Sequence, residues 1–463
     1  MNAPGKAAPG GSIEPRRTAY VVLLASSTLG TLTSTIISAP INVIASALGA
    51  SPSGIVFAVS AFTLAMVLFS PVAGWACERL GPRLVLTSSL ALMVAAQIGA
   101  AFSQELWFLV LMRALQGVAC SATPPAVQQT LAYFWPRQRA RMMAAWASAI
   151  GVGQALGLPL GGLIADLLGW RAVFGTHALI SLAVMVLIAR LVPAAPSGRP
   201  PMHATGMITL IIGVGSLVGA FTWAGQQGGL AVGLGLVGFG VVALCVHALL
   251  AHYSPAALVD LRLLVERRYL RSTAAAGTVM TCLGVVVVAT PLHLGRDFGM
   301  GPEVIALITL SLAVSMTLFA PVSSWIGTRL TPRAVLQGGL AALGLGLLAL
   351  GAVGTADYRV AVVAVTVVAL VVVGSAIGAV QSSAALGVMR STAATHGTAL
   401  GIHNMVRFSG LACGYAWVAI SFPMGNLFAV YAGPVVLVLV SFGLLLGPPA
   451  APPAEHSNAD EPT

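Results

Sequence analysis

Charge, and acidic charge above all, is what this 463-residue chain lacks: it contains 12 Asp and Glu in total, and Lys6 is its only lysine. Charged residues of both signs make up 7% of the chain against 58% hydrophobic residues, and the mean hydropathy is +0.95. A soluble chain carries roughly a quarter charged residues, so the deficit excludes an ordinary water-soluble enzyme. The net charge of +10 does not point to nucleic acid, because the arginines fall singly or in small groups between apolar runs. Cysteine is also scarce. The five present are odd in number and show no CxxC or Cys/His spacing, so neither a disulfide framework nor a metal site is indicated. No Ser/His/Asp, metal or phosphate-loop constellation stands out, and no catalytic residue or cofactor is expected.

What the chain has instead is a near-continuous series of apolar windows, each about the 20 residues needed to cross a bilayer. Unalternating runs such as "YRVAVVAVTVVALVVVGSAIG" exclude a β-barrel, which leaves helices as the only way to satisfy the backbone within lipid. The spacing predicts an all-α membrane protein of about fourteen helices, the first covering 19–47 and retained as an anchor. Arg79 and Arg83, Arg137 to Arg141, Arg267 to Arg271, Arg329 and Arg333, and Arg390 fall in alternate loops. Short loops rich in arginine face the cytoplasm, so both termini are expected there.

Two stretches repeat. "PVAGWACERLGPRLVL" (71–86) and "PVSSWIGTRLTPRAVL" (321–336) share Trp, Arg-Leu, Pro-Arg and Val-Leu at matching offsets, with Thr328 where the first copy has Glu78. They join helices two to three and ten to eleven. The expected organisation is therefore a disordered tail over 1–18, a six-helix bundle over 19–193, two inserted helices over 204–251, a second six-helix bundle over 271–446 and a disordered tail over 447–463. Parallel halves of this kind characterise one large transporter class, with substrate bound near the midplane.

At this point the chain resembles the major facilitator superfamily, and within it the fourteen-helix drug:proton antiporter branch. Gly74, Glu78, Arg79, Gly81 and Arg83 match the family's Gly-x-Leu-Ala-Asp-Arg-x-Gly-Arg-Lys loop, with Glu in place of Asp. The resemblance implies a cytoplasmic gate in which the carboxylate meets a helix N-terminus and nearby arginines, with Arg329 and Arg333 on the second copy. Glu78→Gln is expected to impair transport more than Thr328→Ala. "RALQGVA" places Arg113, Gln116 and Gly117 on the family's Arg-x-x-Gln-Gly signature in helix four. "GVGQALGLPLGG" is similar to the antiporter signature of helix five, with Gly153, Gly157, Gly161 and Gly162 in register and Pro159 displaced by one.

The branch's first helix reads Leu-Asp-x-Thr, but here "LTST" puts Thr33 at the acid position, and all 12 acids map to loops, tails or span ends. Cationic drug antiporters use a buried carboxylate that either a proton or the substrate neutralises. Arginine stands inside spans instead, at Arg113 and Arg407, so a neutral, zwitterionic or anionic substrate is expected. Asp166 and His177 are the candidate proton groups if transport is coupled. Asn42, Gln97, Gln128, Gln154, Gln381 and Asn404 are candidate polar pathway residues, with Trp146, Trp223 and Phe408 as the aromatic ones. The leading expectation is a bacterial inner-membrane exporter of an amphipathic organic compound, a drug, antibiotic or secondary metabolite. It is expected to work as a monomer in the lipid bilayer, with the small molecule and protons as partners and no nucleic acid. An uncoupled facilitator or uptake carrier, and a non-transporting sensor or scaffold, are the alternatives.

Overall fold

The computed structural model describes residues 17–198, 200, 203–224, 230–253, 264–327, 329–353 and 359–447. The tails expected over 1–18 and 447–463 fall almost wholly outside these, and so does Thr328. Helices open at prolines, whose missing N–H would have no partner in the first turn anyway: Pro52, Pro82, Pro302 and Pro332 all start one. Ser51, Thr331 and Asn426 cap helix starts by accepting the N–H of Gly54, Ala334 and Ala429 at 3.0, 3.2 and 3.1 Å.

In chain order the first helices are α1 (Arg17–Thr35), α2 (Ile41–Ala47), α3 (Pro52–Leu80), α4 (Pro82–Ala101), α5 (Leu106–Ser121), α6 (Thr123–Phe134), α7 (Arg139–Leu168) and α8 (Trp170–Leu191). Next come α9 (Ala204–Ala224) and α10 (Leu230–Tyr253), then α11 (Arg267–Phe298), α12 (Pro302–Ile326), α13 (Pro332–Ala352), α14 (Arg359–Met389), α15 (Gly397–Ser421) and α16 (Leu427–Leu446). No strand occurs among the described residues.

Among the described residues, thirteen helical segments are long and apolar enough to cross a membrane, and α9 contributes a shorter apolar stretch, Ala204–Ala220. The first span departs from the expected single helix over 19–47: α1 stops at Thr35, a 3₁₀ turn covers Ile36–Ser38, and α2 follows Pro40. Proline cannot donate into the i→i−4 ladder, which accounts for the interruption. The fourth span is likewise two helices, α5 and α6, joined at Ala122 just before Pro124 and Pro125.

Helices α1 to α8 pack chiefly on one another, as do α11 to α16. Two crossings hold these halves together: α3 lies on α15, and α7 lies on α12 and α14. The second and fifth spans of one half thus meet the fifth and second of the other, which is what a twofold relation between repeats demands. The inserted α9 and α10 pack on each other, and α9 covers the α3–α15 seam. Only 6% of the α10 window is buried within the protein, which leaves its apolar faces to lipid.

Candidate substrate pathway and gate

The twin loops fold differently. In the first copy α3 continues to Leu80, and the chain turns at Gly81 with φ 88°, a conformation that only glycine adopts without strain. In the second copy α12 ends at Ile326, and Thr331, the counterpart of Gly81, is extended at φ −67° and serves as a cap. Because α3 is the longer, Glu78 sits one helical turn beyond Gly74 on the same face. Both reach the start of α15. A Cβ on Gly74 would lie 2.8 Å from the Gly401 nitrogen and would also overlap the Gly397 carbonyl, so only glycine permits this crossing. Glu78 Oε2 accepts the N–H of Gly397 at 2.6 Å, satisfying one of the unpaired donors at the N-terminus of α15.

The arginines of this loop do not join that contact. Arg79 donates to the Pro200 carbonyl at 3.3 Å and lies 5.6 Å from the Trp75 ring centroid, while Arg83 donates to the Ala189 carbonyl. Glu78 therefore forms a carboxylate-to-helix latch, and among the described residues it is in no ion pair. Arg329 stacks 4.4 Å from the Trp325 centroid, and Arg333 lines a large recess at the same end of the bundle.

In the first half, α5 carries Arg113 into the core at 1% exposure. Its guanidinium donates to Gln116 Oε1 at 2.7 Å, to the Thr33 carbonyl at 3.1 Å and to the Ala58 carbonyl at 3.3 Å, and packs 4.4 Å from the Phe62 ring centroid. Gln116 passes the network on to the Ala96 carbonyl at 3.3 Å. Beside it, His177 on α8 has both ring nitrogens engaged. Thr33 Oγ1 lies 2.8 Å from the Leu29 carbonyl and 3.0 Å from His177 Nε2. The His177 Nδ1 lies 3.0 Å from the Gln97 amide and 3.1 Å from Ser181 Oγ.

In the second half, Arg407 on α15 is 2% exposed. It donates to Asn404 Oδ1 at 2.7 Å, and Asn404 donates in turn to Gln128 Oε1 on α6 at 3.5 Å, across the seam. Trp146 and Phe408 flank the guanidinium at 5.0 and 5.4 Å from their centroids. The Arg407 Nε and Gln128 Nε2 donors are buried with no protein acceptor. Arg407, Trp146, Phe408 and Gln154 line a cavity of about 60 Å³ between the halves. No Asp or Glu is buried among the described residues, so neither guanidinium meets a carboxylate.

Other sequence candidates lie apart from this centre. Asn42 and Asp166 are exposed, on α2 and at the end of α7 respectively; Asp166 and His177 share no hydrogen bond or ion pair. Gln381 is buried on α14 with neither amide atom paired. The α7 glycines of the signature face α1 and the turn after it: Gly153 meets Thr28 and Thr31, Gly157 meets Thr35, and Gly161 meets Ile36. Gly162 touches only Ala39, and Pro159 stands within the unbroken α7. Sequence reasoning missed Phe62 beneath Arg113, Ser181 beside His177, and Gly397 and Gly401 opposite Gly74. The Gly-x-x-x-Gly spacing of the last pair was the available signal.

The comparisons with known proteins agree with this geometry. A model of the Major Facilitator Superfamily matches residues 21–207. A protein of Escherichia coli O6:H1 provisionally named multidrug resistance protein MdtD is 26% identical over 273 residues, 58% of this chain and 58% of the relative. Its Shigella flexneri serotype 5b counterpart is 27% identical over 274 residues with the same shares. The match thus spans a little over half the length of these curated relatives. Among solved structures, the proton:xylose symporter XylE bound to 6-bromo-6-deoxy-D-glucose superposes at TM-score 0.67 and 15% identity, covering 93% of this chain and 95% of that one. The human organic anion transporter MFSD10 (TETRAN) gives 0.66 at 18% identity, covering 93% and 99%. The chain is a multi-pass membrane protein with the major facilitator fold. In its first half it is similar to the Major Facilitator Superfamily, and the relatives it matches by sequence carry a multidrug-resistance name.

Proposed function

We propose that this chain is a secondary transporter that exports a small amphipathic organic compound across the bacterial inner membrane by alternating access, with both termini cytoplasmic. The substrate is anionic, zwitterionic or neutral, and not a lipophilic cation. One observation carries this: Arg407 stands at the seam between two aromatic rings, with its Nε donor unpaired and no buried carboxylate nearby. A carboxylate or similar group would satisfy that donor, and Trp146 and Phe408 would take an apolar body. At about 60 Å³ the cavity is too small for such a compound, since sites for organic ligands run to several hundred Å³. The halves must separate to admit it, and the Glu78–Gly397 latch is the contact that breaks when the arginine end opens. The multidrug-resistance name of the relatives supports export.

Export against a gradient is driven by proton antiport in this scheme. The uncoupled carrier is the second reading, supported by the saturation of His177: both ring nitrogens are engaged, and Arg113 is packed close by on the shared partner Thr33. Flux into proteoliposomes with and without an imposed pH gradient separates the two. Accumulation that follows the gradient supports antiport, whereas gradient-independent equilibration identifies the uncoupled carrier. An Arg407→Gln variant that exports at the wild-type rate would overturn the assignment of the site.

A further inference from the structure

At the arginine end the two halves leave a recess of about 1300 Å³, well separated along α15 from the seam cavity around Arg407. Five arginines line it, from four places in the chain: Arg139 at the start of α7, Arg268 and Arg271 on the first turns of α11, Arg333 at the start of α13 and Arg390 just after α14. A second recess of about 560 Å³ shares Arg139 and Arg390 and adds Arg137 and Arg141. Among the described residues Glu78 is the only acid in either lining, and its Oε2 accepts from Gly397 N. Glu266, a further acid among the described residues at this end, accepts from Thr392 N and Oγ1 at 2.9 and 2.8 Å through one oxygen.

Topology alone asks for arginine in these loops, but it does not ask them to converge on one cavity. Arg139, Arg268, Arg333 and Arg390 form no ion pair among the described residues. Arg139, Arg268 and Arg333 are half-buried, and Arg268 donates to the carbonyl of Arg390 at 2.9 Å, which brings these two arginines together. Partial desolvation, then the charges of Arg268 and Arg139, hold the Arg390 guanidinium below its ordinary value. Like charges gathered in a partly desolvated recess repel one another, and field lines focus there. A polyanion relieves the repulsion and gains forked hydrogen bonds from several guanidiniums at once. The lining also offers apolar surface from Tyr133, Leu336, Leu386 and Leu445.

We propose that this vestibule is a binding site for a phosphate-bearing anion, separate from the transport site at Arg407 and bridging the two halves when the Glu78 latch is closed. Phosphate is the chemistry that several planar forks recognise together, and its source is either a soluble polyphosphate or the headgroup of an anionic phospholipid. Occupancy ties α7 of one half to α11 and α14 of the other, so it favours the closed arrangement at this end.

The test is thermal unfolding of the full chain in phosphatidylcholine nanodiscs, titrated with pyrophosphate, beside nanodiscs containing phosphatidylglycerol. A salt-sensitive rise in Tm with pyrophosphate in the neutral nanodiscs identifies the soluble source. A rise with phosphatidylglycerol that pyrophosphate does not increase identifies the lipid. Arg390→Gln and Arg268→Gln are each expected to weaken the effect about tenfold, the loss of one charge-assisted contact. Arg390→Lys retains part of it, and Arg407→Gln leaves it intact. Absence of any shift, or a shift that survives Arg390→Gln and Arg268→Gln but is lost in Arg407→Gln, would overturn the proposal.

Discussion

His177 is held by three polar neighbours that have few alternatives, so its removal is costly. In His177→Ala, Thr33, Gln97 and Ser181 each lose a buried partner, and each unsatisfied group costs about 1–3 kcal/mol. A clear drop in unfolding temperature is expected in membranes, larger than that of Asp166→Ala on the exposed end of α7. Glu78 is a gentler case. Glu78→Gln keeps an acceptor for the Gly397 N–H but removes its charge, a loss of about 1 kcal/mol at a helix N-terminus. Cysteine accessibility at the vestibule lining is expected to rise in that variant as the latch opens more often. Unchanged accessibility would show that the contact does not hold this end shut. At this scale the sequence was informative wherever a polar residue interrupts an apolar span: Arg113, Gln116 and Arg407 announce themselves in that way. Phe62 and Ser181 do not, because an aromatic or a serine in a membrane helix is ordinary, and only packing brings these two to a cation and an imidazole.

Among the elements, the α3–α15 crossing is the contact most intolerant of volume. Gly74, Gly397 and Gly401 place backbone against backbone, and a Cβ on Gly401 would lie 2.7 Å from the Pro71 Cα. Gly401→Val is therefore expected to reduce transport severely while the chain still inserts, because lipid accommodates separated halves better than a clash at the seam. Flux together with cross-linking between α3 and α15 checks this, with cross-linking falling alongside flux. Hydropathy made the spans themselves legible, along with their ends at Pro and Gly. It did not make their internal breaks legible: the turn after Thr35 and the α5–α6 junction occur inside runs that remain apolar throughout. The placement of α9 over the seam was equally hidden, since an all-apolar helix carries no stripe to say which neighbour it faces.

For the whole molecule, the repeated loops implied two related halves, and the paired crossings α3 on α15 and α7 on α12 have the arrangement such a relation requires. What the repeat could not convey is that its copies differ in shape. The first extends α3 so that Glu78 reaches the other half, while the second ends α12 early at Ile326. One side of the arginine end is thereby latched, while the other leaves the recess beside Arg139 and Arg390 open. The charge balance is also a property of the whole chain. With no buried acid among the described residues and two buried guanidiniums, one on each side of the seam, the interior has the charge balance that supports the proposed preference for anions over cations.

The measurement that tests the account most directly is flux of two aromatic amphiphiles of matched size, one a carboxylate and the other a quaternary ammonium, in proteoliposomes of the full chain. Saturable movement of the carboxylate, with Arg407→Gln reducing it at least tenfold and little movement of the cation, is the predicted result. Transport of the ammonium compound at a rate that Arg407→Gln does not change would contradict it.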